Sequence, residues 1–134
     1  MTIKSVHVKD YMARTLVTFK PDTDVLDAVH VLVNNRIAGA PVVDDEGNLL
    51  GMLSEYDCMK VALDAGYHGT WGGPVRDYMS DGVDTVDADM SIVDLAQVFI
   101  NKKFRRFPVM QGTRLVGQIS RRDVLRALEV IAKG

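Results

Sequence analysis

Gly117-Gln118-Ile119-Ser120-Arg121-Arg122-Asp123 decides how this chain is read, because it has a twin at Gly51-Met52-Leu53-Ser54-Glu55-Tyr56-Asp57. In each copy a glycine leads into an apolar residue and a serine. An aspartate follows three residues later, and an apolar pair comes next, Val124-Leu125 or Cys58-Met59. The pattern predicts a buried strand that ends at the serine and turns into a helix. Such a junction leaves backbone N–H groups free and sets a hydroxyl beside a carboxylate. Serine followed by an acid three residues on is also a capping box, which satisfies a helix start and needs no ligand. Repetition does not separate these readings, since caps repeat when repeats do.

Outward from the twins the correspondence continues. Val8-Lys9-Asp10-Tyr11-Met12 matches Val75-Arg76-Asp77-Tyr78-Met79, Asp27 matches Asp94, Asn34 matches Asn101 and Pro41-Val42 matches Pro108-Val109, all offset by 67. A one-residue deletion in the second turn brings the offset to 66 for Gly51/Gly117, Ser54/Ser120 and Asp57/Asp123. Self-similarity at this spacing is the duplication of one supersecondary unit. The expected division is residues 1–65, a glycine- and proline-rich linker 66–74, and residues 75–134.

Each repeat predicts the order β-α-β-β-α, so the class is α/β. The opening strands are Leu16-Val17-Thr18-Phe19 and Val83-Asp84-Thr85-Val86. Pro21-Asp22-Thr23-Asp24 offers helix caps. Val25, Leu26, Val29, Leu32 and Val33 then fall on one helical face, with Ile92, Val93, Ala96, Phe99 and Ile100 as counterparts. A hairpin joins Ala40–Val43 to Leu49–Leu53 through Asp44–Asn48, and its second copy turns at Gln111–Arg114. The closing helices run from Glu55 to about residue 65 and from Arg121 to about residue 132.

Composition narrows the function classes. Of 134 residues, 47% are hydrophobic and 25% charged, as in a soluble globular protein. The net charge of −2 gives no global attraction to nucleic acid. One cysteine, Cys58, excludes an internal disulfide and a multi-cysteine zinc cluster, and it reads as core. No apolar run approaches a membrane span, and Met1-Thr2-Ile3-Lys4 opens no signal peptide, so a cytoplasmic protein is expected. His7 and His30 have no partners at metal-ligand spacing, and Trp71 in the linker reads as an anchored connector. No nucleophile elbow, cysteine–histidine pair or Walker loop nominates catalysis.

Charge is unevenly placed. From Lys102 to Arg126 lie Lys102, Lys103, Arg105, Arg106, Arg114, Arg121, Arg122 and Arg126, against the single acid Asp123. The matching span of the first repeat holds Arg36 and Lys60 against Asp44, Asp45, Glu46, Glu55 and Asp57. Guanidinium groups at a helix start suit a phosphate. A carboxylate among them suits a vicinal diol, which donates two hydrogen bonds to it. Diol, phosphate and an apolar wall describe a nucleoside phosphate; the alternative is that the arginines solvate a helix face.

These duplicated pieces resemble a tandem pair of CBS domains, a Bateman module, over nearly the whole chain. The matching pieces are Val8–Met12, Ala40-Pro41-Val42-Val43-Asp44 and Gly51–Asp57, with their second copies. The resemblance implies two repeats about a pseudo-twofold axis, packed as one module. It implies adenosine nucleotides (AMP, ADP, ATP) or S-adenosylmethionine as ligands in clefts between the repeats, no obligatory cofactor, no catalysis and flat homodimers. With no effector domain in these residues, the module is expected to act on a separate partner.

Carried over by position, Asp57 and Asp123 would take ribose hydroxyls, with Ser54 and Ser120 beside them. The Asp123 pocket would use Met12, Val17, Ile37, Ala38, Gly39, Pro41 and Ile119, with Arg121 or Arg122 reaching a phosphate. The Asp57 pocket would use Met79, Asp84, Phe104, Arg105, Arg106 and Leu53. Asp84 departs from the apolar residue usual on the base wall, and a carboxylate buried there without a partner is costly. The Asp123 pocket is therefore the expected nucleotide site. Two alternatives stand beside it: a structural or interaction module with vestigial pockets, dimerising around Leu125, Leu128 and Ile131, and nucleic-acid binding through Lys102–Arg106.

Overall fold

The structure is a computed structural model and describes residues 5–133. Met1-Thr2-Ile3-Lys4, read above for a leader, lie outside the described residues. The chain is mixed α/β and forms two compact units, which we name by their motif aspartates. The Asp57 unit is Val17–Val83; the Asp123 unit takes the described residues up to Leu16 and those from Asp84 onward.

In the Asp57 unit, α2 (Val25–Asn35) is followed by the antiparallel pair β1 (Gly39–Val43) and β2 (Leu49–Ser54), and then by α3 (Glu55–His68). Asp24 caps α2 by accepting from the Leu26 N–H at 2.9 Å. The turn is held by Asp44, whose Oδ1 accepts from the N–H groups of Glu46 and Asn48 at 2.9 Å each. Val25, Ala28, Leu32, Val42 and Leu53 are buried together with Val75 and Tyr78. Those last two arrive from the start of the second repeat, where a single 3₁₀ turn spans Val75–Asp77. Met52 and Ser80 exchange two backbone hydrogen bonds at 2.9 Å.

The Asp123 unit repeats the arrangement. Its sheet orders β3 (Val86–Asp87), β4 (Arg106–Gln111) and β5 (Arg114–Ser120), parallel and then antiparallel. α4 (Ile92–Lys102), capped by Ser91, precedes β4, and α5 (Arg121–Lys133) follows β5. The short α1 (Val8–Tyr11) comes from the start of the first repeat, and Ala13 exchanges backbone bonds with Gln118 at 2.8 and 2.9 Å. Each compact unit is thus the body of one repeat with the opening segment of the other.

That crossing segment explains the motif glycine. A Cβ on Gly51 would stand 2.5 Å from the Ser80 carbonyl oxygen. On Gly117 it would stand 2.5 Å from Met12 Sδ and 2.8 Å from the Ala13 carbonyl oxygen.

Three expectations need correction. The opening strands shrink to an isolated parallel bridge between Phe19 and Val42 and to the two residues Val86–Asp87. α3 runs on through Gly66-Tyr67-His68, into the expected linker, and stops where Gly69 adopts φ +68°. The α2 core face is Val25, Ala28 and Leu32, whereas Leu26 and Val33 are exposed. Apolar residues follow α2 on two faces, and only one meets the sheet.

Candidate functional site

The two motifs fold into matching helix starts. Ser54 Oγ accepts from the Asp57 N–H at 3.1 Å, and the Ser54 N–H and hydroxyl donate to Asp57 Oδ2 at 2.9 and 3.0 Å. Ser120 and Asp123 reproduce this at 3.2, 2.9 and 3.0 Å. Both are capping boxes, as the ligand-free reading requires. In both, only Oδ2 is used by the cap, so the chemistry of the site lies with Oδ1.

The two Oδ1 atoms differ. Asp57 Oδ1 accepts from the Ser80 hydroxyl at 2.9 Å and faces Lys60 Nζ at 3.5 Å, and the aspartate is 4% exposed. Burial pushes its carboxyl up, but the hydrogen bonds from Ser54 and Ser80 and the Lys60 charge outweigh that and hold it below the ordinary value of 3.8. Among the described residues Asp123 Oδ1 takes one partner, Arg126, at 2.8 Å, and the side chain keeps 18% of its surface. Arg126 is itself held by the Tyr11 carbonyl at 3.3 Å and lies 5.8 Å from the centre of the Tyr11 ring. Ser80 has no hydroxyl counterpart, since its equivalent is Ala13. Ser80 and Arg126 were not among the expected site residues. The signal for Ser80 was present as the Ser80/Ala13 mismatch within an otherwise matched segment.

The structure divides the expected site residues between the units. Met12, Arg105, Arg106, Ile119, Ser120, Arg121, Arg122 and Asp123 belong to the Asp123 unit. Met12 packs beside Gly117, and Arg121, Arg122, Arg105 and Arg106 are exposed around the start of α5. The Arg121 N–H donates to the Arg105 carbonyl at 3.1 Å, which ties the two arginine pairs together. Val17, Ile37, Ala38, Gly39, Pro41, Leu53, Ser54 and Asp57 belong to the Asp57 unit. There the Ala38 carbonyl accepts from the Glu55 N–H at 2.8 Å, at the start of α3. Leu53, Ile119 and Pro41 are fully buried in the hydrophobic interior. Leu53 and Ile119 therefore serve by anchoring the serine that follows each of them. Asp84 and Phe104 are exposed, and Phe104 stands edge-on to Phe107 at 5.5 Å. His30 is engaged with Asn34 at 2.7 Å. Among the described residues no group of three or more metal-ligating side chains stands together, and no helix is long and apolar enough to cross a membrane.

A family model of the CBS domain matches residues 8–64 and 75–130, the two halves of the duplication. The chain belongs to the CBS domain family. Among CBS relatives, the CBS domain-containing protein YhcV of Bacillus subtilis is 30% identical over 87% of this chain and 81% of its own length. CBSX2 of Arabidopsis thaliana is 30% identical over 90% of this chain and 62% of its own. The crystal structure of CBSX2 in complex with AMP superposes with a TM-score of 0.79, at 33% identity, covering 95% of this chain and 98% of that one. Several curated CBS relatives are longer: the chain spans 42% of the Methanocaldococcus jannaschii protein MJ1225 and 57% of Arabidopsis CBSX1.

Proposed function

We propose that this chain is a non-catalytic regulatory module that binds an adenosine-type ligand, with Asp123 gripping the ribose. The observation that carries this reading is the difference between the two carboxylates. Asp57 has both oxygens engaged within its own unit, whereas Asp123 spends one on its cap and keeps the other near the surface beside Arg126. A ribose diol donating two hydrogen bonds suits such an oxygen. Arg121 and Arg122 at the head of α5 supply cations for a phosphate. The AMP complex of CBSX2 supports the ligand class; S-adenosylmethionine shares the adenosyl group. The module acts on a separate effector and associates with a second copy of itself.

A mononucleotide of roughly 23 heavy atoms at about −0.3 kcal/mol each binds with about −7 kcal/mol. That is a dissociation constant on the order of 10 μM. AMP at about 100 times that value adds roughly 2.7 kcal/mol to stability, a rise of roughly 6–10 °C in Tm for a chain of this size. Asp123→Ala abolishes this rise. A mutant whose melting responds to AMP like the parent removes Asp123 from the site.

A second reading has its own observation. Both serine–aspartate pairs are complete capping boxes without any ligand. A purely structural module therefore predicts no shift in Tm with any adenosyl compound, in parent or mutant.

A further inference from the structure

Asp123 has fewer acceptor positions to give than a ribose asks for. A carboxylate offers about four lone-pair positions, two on each oxygen. The Ser120 N–H and hydroxyl take two of them on Oδ2, and Arg126 takes one on Oδ1. Among the described residues that leaves one, whereas a vicinal diol donates two hydrogen bonds. A ribose that brings both hydroxyls to this carboxylate therefore needs the position that Arg126 holds.

Arg126 is doubly committed. One nitrogen, Nη2, donates to Asp123 Oδ1 at 2.8 Å and to the Tyr11 carbonyl at 3.3 Å. A guanidinium Nη carries two hydrogens, so this nitrogen has no third bond to offer. The group also lies 5.8 Å from the centre of the Tyr11 ring, within cation–π range. Arg126 thereby ties the motif aspartate to α1, and Nη2 cannot swing off Oδ1 without disturbing its bond to Tyr11.

The duplication supplies an internal comparison. Lys60 stands where Arg126 does, and Tyr78 where Tyr11 does. Lys60 Nζ faces its aspartate at 3.5 Å, while Tyr78 turns its hydroxyl to Asp64 at 3.0 Å and to the Gly72 carbonyl at 3.3 Å. Among the described residues the three-way tie belongs to the Asp123 unit. There Arg105, Arg106, Arg121 and Arg122 make no ion pair with any described residue. They are the cations left for a phosphate, and Arg126 is not one of them.

We infer that Arg126 is a latch on the nucleoside site: a ribose takes Asp123 Oδ1 by displacing Arg126, and the displaced guanidinium lets go of α1. The inference rests on the Asp123 reading proposed above. It adds a residue that lowers affinity at that site and passes occupancy on to the opening segment.

The test compares adenosine, which has the diol and no phosphate, with AMP. Both are titrated calorimetrically into the parent and into Arg126→Met, which keeps an apolar stem beside the Tyr11 ring and removes the donor. Arg126→Met is expected to bind adenosine about two- to fivefold more tightly, the range set by release of a partly exposed ion pair. Arg114→Met removes the same charge at the opposite end of β5 and is expected to leave adenosine affinity as in the parent. In NMR of the parent, the Arg126 guanidinium is expected to rotate slowly and to be freed by saturating adenosine. Adenosine bound equally or more weakly by Arg126→Met overturns the latch, and so does a guanidinium that stays held when adenosine is bound. Weaker AMP binding with unchanged adenosine binding makes Arg126 a phosphate contact instead, which overturns the latch and leaves the nucleoside site standing. No binding of either compound, in the parent and in Arg126→Met alike, overturns the site reading and the latch together.

Discussion

Ser80 and Ala13 hold equivalent places in the duplication, and this one hydroxyl separates the two carboxylates. Ser80 closes Asp57 Oδ1 with a 2.9 Å bond; Ala13 offers no such hydroxyl, and Asp123 Oδ1 accepts from Arg126. Ser80→Ala should therefore cost about 1–2 kcal/mol at neutral pH, read by urea denaturation, the size of one hydrogen bond to a buried charge that keeps its other partners. The sign with pH follows from Asp57. Its carboxyl is depressed in the folded chain, so its stabilisation is present above the ordinary value of 3.8 and is lost as pH falls below it. The gap between parent and Ser80→Ala should shrink below about pH 4. A gap that is constant from pH 7 to pH 3 would show that Ser80 acts through packing rather than through the charge. The serine–aspartate pairs and the arginines of this site are plain in the sequence. The closure of one aspartate is not, because hydrogen bonding across 23 positions depends on which segment the fold brings back to the motif.

Among the elements, the crossing segments are what local patterning could not reveal. Alternation and helical spacing report which residues are apolar, not which surface they meet. The hairpins, α2, α4 and the two closing helices follow from caps and periodicity. The exchange of opening segments between repeat bodies does not, since Val8–Met12 and Val75–Met79 read alike and either body could have taken either one. Only the glycines record it. Gly51→Ala drives a Cβ against the Ser80 backbone, and Gly117→Ala drives one against the Ala13 backbone and the movable Met12 side chain. Both should destabilise by about 1–3 kcal/mol, with Gly51→Ala the worse of the two; equal or negligible losses in chemical denaturation would contradict the crossing. The ends of α2 and α4 offer the opposite experiment. Arg36 and Lys103 sit at φ 53° and 57°, a left-handed C-cap that favours glycine. Arg36→Gly should raise stability by up to about 1 kcal/mol, and a loss of stability would mean that its side chain contributes more than its backbone strain costs.

Over the whole molecule, duplication has produced two units of one plan and opposite character. The acidic unit buries its motif aspartate; the basic unit leaves its own partly exposed, among the arginines of α5 and β4. The family and the repeated plan were legible from the twin motifs, and so was the charge asymmetry that favours Asp123. The groove between α2 and α3 was not, because the small residues Ala62, Ala65 and Gly66 that widen it carry no pattern of their own. The central claim is that Asp123 is the ribose-gripping carboxylate, and calorimetric titration of AMP into the parent, Asp123→Ala and Asp57→Ala chains tests it most directly. One equivalent bound with a dissociation constant on the order of 10 μM, retained in Asp57→Ala and lost in Asp123→Ala, is the predicted result. Binding that survives in Asp123→Ala, or disappears only in Asp57→Ala, would contradict it.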